Sequence, residues 1–230
     1  MQVRWLLLFL FTSSSLFAQS VYEQRGGDPN GIHKWYMGRQ IAKTMNHFGI
    51  SWLERPERQE EEDAEQLLRN MGLKQGMQVA DIGAGSGFYT IRIAQRIGRG
   101  TVYAVDIEPA MLSFIQKRVA RQKLKNVKPI RCDTVQIPLP EESIDVILIV
   151  DVYHEMSHPR EMLSSMYRML KSSGRIFLVE FRAEDPNVPI KAVHKMTESQ
   201  AIREFAASSF ILDRSIENLP WQHCMVFRKK

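Results

Sequence analysis

The sequence contains little cysteine, and this scarcity excludes two classes of protein. Cys132 and Cys224 are the only cysteines among the 230 residues. No Cys or His spacing typical of a zinc site surrounds them, so no metal site is predicted. Each lies in a strand-like stretch, where cysteine is commonly a small core residue, and two free thiols are favoured over one disulfide. The pattern therefore indicates neither a disulfide-stapled scaffold nor a zinc-finger domain.

An excess of charge of one sign is also missing. The chain has 31 Lys and Arg against 26 Asp and Glu, which gives a formal net charge of +5 at pH 7. Basic and acidic residues are interspersed, as in the stretch RPERQEEEDAE that begins at Arg55. A nucleic-acid-binding surface usually shows a basic patch or stripe instead. The mixed charges predict a solvated surface and no nucleic-acid partner, and they leave the oligomeric state open.

No apolar run is long enough to predict a stable membrane span, which needs about 20 residues. The N-terminal run WLLLFLF, at residues 5–11, follows Arg4 and precedes a serine-rich stretch. Ala18 and Ser20 then stand at −3 and −1 of a cut after Ser20, which completes the pattern of a secretory signal peptide. An exported or periplasmic protein is predicted. The alternatives are an interfacial anchor, peripheral on the membrane, and a misassigned start codon in a cytoplasmic protein.

Two segments separate this N-terminus from the main domain. Residues 21–33 are rich in glycine and polar residues, which is typical of a linker. From Trp35 to Trp52 apolar residues recur at helical spacing and predict an N-terminal lid helix. A second helix is predicted from Arg55 to Gly72. The predicted division is a signal peptide at 1–20, a linker and N-terminal lid helix at 21–58, and the main domain at 59–230.

From Gln78 onward, short apolar strands alternate with amphipathic helices. This alternation predicts an α/β fold with a doubly wound, mostly parallel seven-stranded sheet and helices on both faces. The last two predicted strands have only a short connection of the LPWQ type between them, at residues 219–222. A parallel crossover needs about a dozen residues or more. The last strand is therefore expected to run antiparallel.

A glycine-rich loop follows the first strand of this domain and precedes a helix. Gly83, Gly85 and Gly87 form the pattern G-x-G-x-G, with Asp81 two residues before the first glycine. A dinucleotide-binding loop has the spacing G-x-G-x-x-G. Phe88 stands where the third glycine of that loop would be, which disfavours a nicotinamide dinucleotide as ligand.

The stretch D-x-G-x-G-x-G resembles motif I of class I S-adenosylmethionine (SAM)-dependent methyltransferases, which implies a Rossmann-like fold and SAM as cofactor. The resemblance covers about Glu60 to Arg228 and is nearest to small-molecule methyltransferases of the ubiquinone/menaquinone type and to similarly built exported proteins. Further acids end the next three strands, at the sheet edge where open α/β folds bind ligands. Asp133 has the alternative role of capping a turn. The SAM-binding residues implied are Asp81, Gly83, Ala84, Gly85, Gly87, Asp106, Ile107, Asp133, Thr134 and Asp151.

The stretch DVYHE after the fourth strand holds the candidate catalytic residues. Methyl transfer from SAM is a displacement at an activated sulfonium methyl group, so alignment of the reactants is the main requirement and no catalytic triad is needed. His154 is predicted as a general base, with Glu155 orienting its other ring nitrogen and Tyr153 beside it. The alternative is that Tyr153 and His154 only line the donor pocket.

Residues on the acceptor side are predicted from two distant parts of the chain. The candidate substrate-binding residues are Arg39, Trp52, Glu180, Arg182, His194 and Lys195. Solvated loop and helix-surface charges are the alternative interpretation. A magnesium-dependent catechol type is disfavoured, because Asp145 and Asp151 lie in one strand. A small-molecule acceptor is predicted, and the alternatives are an RNA or protein methyltransferase and a SAM-binding protein without turnover.

Overall fold

The computed structural model describes residues 21–230, and this part begins with a small antiparallel sheet. The sheet consists of β1 (Tyr22–Gln24), β2 (Gly31–Tyr36) and β3 (Arg39–Ala42). The short helices that follow are α1 (Ile50–Leu53), α2 (Arg58–Glu62) and α3 (Ala64–Asn70).

The main sheet has seven strands. They are β4 (Gln78–Ile82), β5 (Thr101–Asp106), β6 (Val127–Arg131), β7 (Ile144–Val150), β8 (Leu170–Phe181), β9 (Phe210–Ser215) and β10 (Gln222–Lys229). Their order is β6-β5-β4-β7-β8-β10-β9, with parallel pairing from β6 to β8. β10 pairs antiparallel with both β8 and β9. The predicted seven-stranded sheet with an antiparallel last strand is confirmed.

Helices cover both faces of this sheet. They are α4 (Phe88–Ile97), α5 (Pro109–Arg121), α6 (Pro159–Met169) and α7 (Glu198–Ala206). Side chains of β7 alternate between two buried clusters: Ile147 and Ile149 pack with α6 and α7, whereas Leu148 packs with α3 and α4. Because both faces are covered, the parallel strands are nearly continuous apolar runs. The core therefore holds the sheet in place, and loops cover the carboxyl edge of the sheet.

The predicted lid helix from Trp35 to Trp52 is wrong. Its first part forms the hairpin of β2 and β3, and only Ile50–Leu53 is α-helical. Met37 and Gly38 join the two strands with φ of 48° and 89°, and two successive positive φ angles are typical of a tight hairpin turn. The expected linker also contains β1. The tight turn at Met37 and Gly38 therefore determines the local structure, and the spacing of the apolar residues fits a helix only loosely.

The predicted helix from Arg55 to Gly72 is divided in two. Asp63 interrupts it with φ of 44° and lies between α2 and α3. The Asp63 side chain accepts a hydrogen bond from Gln66 N at 3.0 Å and so caps α3. The division turns α2 toward the carboxyl edge of the main sheet, where Arg58 and Glu62 reach the site described below.

The N-terminal sheet packs against the loops that follow β7 and β8. The Arg39 guanidinium on β3 binds Glu204 of α7, with Nε 2.8 Å from Oε1, and it also donates to the His154 carbonyl at 3.1 Å. Gln200 of α7 donates to the Met37 carbonyl at 3.2 Å. These contacts hold the small sheet across one side of the carboxyl edge.

The described residues bear on two further predictions. Cys132 and Cys224 are free, as predicted. No helix within residues 21–230 combines the length and apolarity needed to cross a bilayer. The predicted signal peptide at 1–20 lies outside the described residues.

Candidate functional site

A cavity of about 550 Å³ lies at the carboxyl edge of the main sheet. Its volume is within the range of about 300–1,000 Å³ that is usual for ligand pockets. We call one side the carboxylate wall; it consists of Gly83, Gly85, Asp106, Ile107, Asp133, Thr134 and Asp151. We call another side the histidine wall; it consists of His154, Glu155 and His194. The predicted Trp52 also lines the cavity and is 44% exposed.

The glycine loop needs glycine for two reasons. Gly83 and Gly85 have φ of 68° and 53°, a region that is unfavourable for residues with a side chain. A Cβ at Gly83 would lie 2.5 Å from a methyl group of Val152, and a Cβ at Gly85 would lie 2.9 Å from one of Leu53. The bare backbone at these positions therefore borders the cavity, where a ligand can approach it closely.

Asp106 ends β5 and ties the glycine loop to that strand. Its carboxylate accepts hydrogen bonds from Gly85 N and Glu108 N, both at 2.9 Å. Burial raises the pKa of Asp106, although the backbone N–H donors act in the opposite direction. A carboxylate has about four acceptor positions, so Asp106 retains capacity for two hydroxyl groups of a ligand.

Asp151 follows β7 and has an unpaired acceptor atom. Its Oδ2 accepts a hydrogen bond from Gln222 Nε2 at 2.6 Å, while its buried Oδ1 has no partner. Burial, followed by the nearby charges of Glu62 and Glu180, raises the pKa of Asp151 well above its usual range. A cationic group in the cavity would satisfy Oδ1 and stabilise the ionised form.

Asp133 combines the two roles considered for it. Its Oδ1 accepts from Val135 N at 2.8 Å and from Gln136 N at 2.6 Å, so it caps a turn. It also lines the cavity beside Thr134.

Asp81, Ala84 and Gly87 lie behind the loop rather than on the main cavity. Asp81 and Ala84 border a small adjoining cavity of about 40 Å³. Asp81 is 3% exposed and accepts a hydrogen bond from the Thr90 hydroxyl. Burial raises the pKa of Asp81 to about 6. Gly87 starts α4 with φ of 78°. These three residues therefore support the glycine loop from the side that faces away from the main cavity.

His154 is oriented by Glu180, not by Glu155 as predicted. His154 Nδ1 lies 2.5 Å from Glu180 Oε2. Glu180 is fully buried on β8, and its other oxygen accepts from Tyr153 N at 2.9 Å and from His154 N at 3.3 Å. Glu180 was predicted to bind substrate, but its contacts make it a positioning residue. They direct His154 Nε2 toward the cavity.

The histidine wall brings three polar side chains together. His154 Nε2 lies 3.2 Å from His194 Nδ1 and 3.9 Å from Glu155 Oε1. Glu155 Oε2 accepts a hydrogen bond from Met45 N at 3.1 Å. A ring nitrogen in this position can accept a proton or bind a metal ion.

Burial contributes to the pKa shifts of all three side chains of the histidine wall. Burial alone would lower the pKa of His154, but the charge and the hydrogen bond of Glu180, together with the charge of Glu155, outweigh it, and the pKa is raised. Burial and then His154 lower the pKa of His194 to about 4. Burial raises the pKa of Glu155 to about 7.

Two further predicted residues support the histidine wall from behind the cavity. Tyr153 is fully buried, and its hydroxyl donates to Glu204 Oε2 at 2.8 Å. Arg39 binds the same carboxylate, and its guanidinium lies 5.5 Å from the centre of the Tyr153 ring. The structure therefore brings neither Tyr153 nor Arg39 to the cavity.

Arg182 and Lys195 also lie away from the cavity. Arg182 donates to the Pro220 and Leu219 carbonyls at 2.7 and 2.8 Å, and Lys195 donates to the Asp185 carbonyl at 3.0 Å. Both cations hold loops together at the end of the sheet.

Sequence reasoning missed most of the apolar lining of the cavity. Further lining residues are Met45, Leu53, Met111, Met156, Met162, Phe181, Pro189 and Ile190. Met111 and Met162 stand near the beginnings of α5 and α6, and these helix ends lie at the carboxyl edge. Their position after Pro109 and Pro159 is a signal that could have identified them.

Comparison with known proteins identifies the family. Residues 73–222 match the family described as a methyltransferase domain. This match covers more than half of the chain, and the chain therefore belongs to that family. A SAM-dependent methyltransferase from Aquifex aeolicus has a similar structure, with a TM-score of 0.77 and 26% identity, over 81% of this chain and 100% of that one. The fold, the family and SAM as cofactor thus agree with the predicted class I SAM-dependent methyltransferase.

Curated relatives are similar over part of their length. The ubiquinone/menaquinone biosynthesis C-methyltransferase of Idiomarina loihiensis is 34% identical over 117 residues, which are 48% of this chain and 45% of that protein. The demethylmenaquinone methyltransferase of Geobacillus sp. is 28% identical over 117 residues, which are 50% of each chain. The chain thus spans about half the length of the curated relatives it matches.

The carboxylate wall fits SAM on the geometry alone. The glycine loop offers backbone that a side chain at Gly83 would cover. Asp106 faces the cavity with acceptor capacity for ribose hydroxyls. The unpaired Oδ1 of Asp151 suits a cationic amino group.

Proposed function

We propose that this protein transfers a methyl group from SAM to a small, largely apolar acceptor bound in the same cavity. The observation that carries the proposal is that both walls line the same cavity. The carboxylate wall fits SAM, and the histidine wall faces the same space beside apolar side chains. When bound, SAM supplies a methyl group on a positively charged sulfur. The protein has to bind, orient and enclose the reactants.

The carboxylate wall holds the donor. Asp106 accepts from the ribose hydroxyls while its bonds to Gly85 N and Glu108 N keep it fixed. Asp151 receives the amino group. Acidic side chains at this wall favour a cationic ligand, because the two arginines that line the cavity are already paired, Arg55 with Glu61 and Arg58 with Glu62. Leu53 and Trp52 also line the cavity, where they would help to exclude water from the donor.

The rest of the cavity receives the acceptor. Met156, Met162 and Ile190 provide adaptable apolar surface. The histidine wall provides the polar atoms that would fix one end of an otherwise apolar molecule. Relatives named for ubiquinone and menaquinone biosynthesis support a small-molecule acceptor.

A transfer assay with methyl-labelled SAM and a fractionated metabolite extract tests the proposal. The expected result is label in an organic-extractable small molecule with wild-type protein and none with Asp106→Ala. Glu141→Ala, at an exposed acid away from the cavity, is the matched control and should retain transfer. Label in RNA or protein would favour the macromolecule alternative. SAM binding without any transfer would leave a non-catalytic SAM-binding protein and would refute the proposal.

We also propose that the protein is exported. The support is the pattern of residues 1–20, in which Arg4, an apolar run and the small residues Ala18 and Ser20 follow each other. Fractionation of cells that express the full chain with a C-terminal tag tests this proposal. Mature protein in the periplasm or medium is expected, shortened by the signal peptide. Full-length protein confined to the cytosol would contradict it.

A further inference from the structure

The three side chains of the histidine wall are arranged like the ligands of a metal ion. His154 Nε2, Glu155 Oε1 and His194 Nδ1 lie within 4.8 Å of one another. The separations are 3.2 Å between the two nitrogens, 3.9 Å from His154 Nε2 to Glu155 Oε1, and 3.8 Å from His194 Nδ1 to the same oxygen. All three residues line the cavity, so a ligand at their centre would be accessible from it.

We propose that the histidine wall binds one divalent transition-metal ion of the Zn²⁺ type. Zinc–ligand bonds of about 2.0–2.2 Å in a tetrahedron place the ligand atoms about 3.4 Å apart. The observed separations differ from this spacing by about half an ångström or less, which small rotations of the side chains can close. Two imidazoles and one carboxylate are also a set that leaves a coordination position open for water or substrate.

The contacts around the cluster support metal binding by orienting its ligands. Metal-binding histidines usually donate their second ring N–H to a carboxylate or carbonyl. His154 does so through Nδ1 to Glu180, 2.5 Å away. Glu180 is in turn fixed by backbone N–H groups. Glu155 is held by Met45 N through the oxygen that faces away from the cluster. His154 and Glu155 are therefore preorganised.

A hydrogen-bonded chain from Glu180 through His154 to His194 is the competing explanation. It accounts for the contact of 3.2 Å between the two rings. It gives no role to Glu155 Oε1, which lies 3.8 Å or more from both ring nitrogens. A metal ion uses all three ligand atoms. The two explanations therefore differ in whether the wild-type protein binds Zn²⁺ and in whether Glu155→Gln weakens that binding.

The consequence for catalysis rests on the proposed function. The open coordination position would face the apolar part of the cavity, where it could hold an oxygen or nitrogen atom of the acceptor. A bound divalent ion lowers the pKa of such a group. In that case His154 would act as a metal ligand and not as the general base predicted for it.

Zn²⁺ titration of the metal-stripped full chain, followed by calorimetry and by metal analysis after dialysis, tests the proposal. Wild type should bind one equivalent. His154→Ala, Glu155→Gln and His194→Ala should each weaken binding by at least about tenfold, and Glu180→Gln by about 10–100-fold. His33→Asn removes an exposed histidine far along the chain from these ligands and should bind like wild type. His194 is only partly buried, so its variant provides the test if His154→Ala does not fold.

SAM titration of the same samples separates this proposal from the proposed function. The expected result is weakened Zn²⁺ binding in the cluster variants with unchanged affinity for SAM. Wild type that binds SAM but no Zn²⁺ would overturn the metal site and leave the proposed function intact. Zn²⁺ binding at wild-type affinity in all three ligand variants would also overturn the metal site. Failure to bind SAM would count against the proposed function alone.

Discussion

The carboxylate wall and the histidine wall are built in different ways. The carboxylate wall comes from the ends of consecutive strands, with Gly83 after β4, Asp106 at the end of β5 and Asp151 after β7. The histidine wall combines a short segment after β7, which Glu180 of β8 orients, with His194 from a distant loop. The carboxylate wall follows from the repeated strand–helix unit. The histidine wall is formed only when β7 and β8 lie side by side. We infer that the two walls can be altered separately.

The largest effect is expected at Asp106. Asp106→Ala removes the acceptor for the ribose hydroxyls and the partner of Gly85 N. Hydrogen bonds to a charged group contribute about 1.5–3 kcal/mol each, so the Kd for SAM should rise by about 100-fold or more. Calorimetric titration checks this value. An unchanged Kd would show that the carboxylate wall does not hold the donor.

Gly83→Ala should affect the carboxylate wall through its backbone. A positive φ costs a residue with a side chain about 1–2 kcal/mol, and the clash with Val152 adds about 1–3 kcal/mol. Gly38→Ala is the matched control, because Gly38 has φ of 89° and no atom within 4 Å of an added Cβ. The free energy of unfolding in urea should fall more for Gly83→Ala than for Gly38→Ala. Equal losses would show that the close approach to Val152 is unimportant.

Asp81 should make the stability of the carboxylate wall depend on pH. Burial raises the pKa of Asp81 from 3.8 to about 6, so the folded protein binds a proton that the unfolded chain releases. Its contribution to stability therefore falls as the pH rises from about 4 to above 6, by roughly 3 kcal/mol. Asp81→Asn should unfold at higher urea concentration than wild type at pH 7.5, with a smaller difference at pH 4.5. If Asp81→Asn and wild type differ in urea stability by the same amount at both pH values, burial does not raise the pKa of Asp81 as described.

A smaller effect, confined to the histidine wall, is expected at Glu180. Glu180→Gln replaces the carboxylate that holds His154 Nδ1. It breaks no hydrogen bond of the carboxylate wall, and it removes a charge that raises the pKa of Asp151. Turnover should fall about tenfold while the Kd for SAM does not rise. Glu141→Gln, at an exposed acid, is the control. A parallel loss of SAM affinity would show that the walls are not separable.

The sequence predicted the main sheet and the carboxylate wall because both depend on local patterns. The central strands of the parallel sheet, such as β5 and β7, are short apolar runs, and Asp106 and Asp151 are placed at their ends. The hairpin of β2 and β3 was missed, because two residues, Met37 and Gly38, determine it against a longer apolar spacing. Local turn geometry has a large influence on short elements.

His154, Glu155 and His194 were candidates from the sequence, but the contacts that arrange them as the histidine wall could not be predicted, for a different reason. Glu180 is 26 residues from His154 and reaches it only through the pairing of β7 with β8. Glu155 is adjacent to His154, yet its carboxylate lies on the Nε2 side of that ring, at 3.9 Å, whereas Nδ1 is held by Glu180. Likewise, Arg39 and Tyr153 meet over Glu204 of α7. Such contacts depend on tertiary packing, which residue spacing does not reveal.

The most direct test of the division between the walls is to measure SAM binding and methyl transfer together for His154→Ala. The account predicts a Kd for SAM within about twofold of wild type, since no residue of the carboxylate wall is hydrogen-bonded to the His154 side chain, and a large loss of transfer to the acceptor. Full transfer by His154→Ala, or a loss of SAM affinity as large as that of Asp106→Ala, would contradict it.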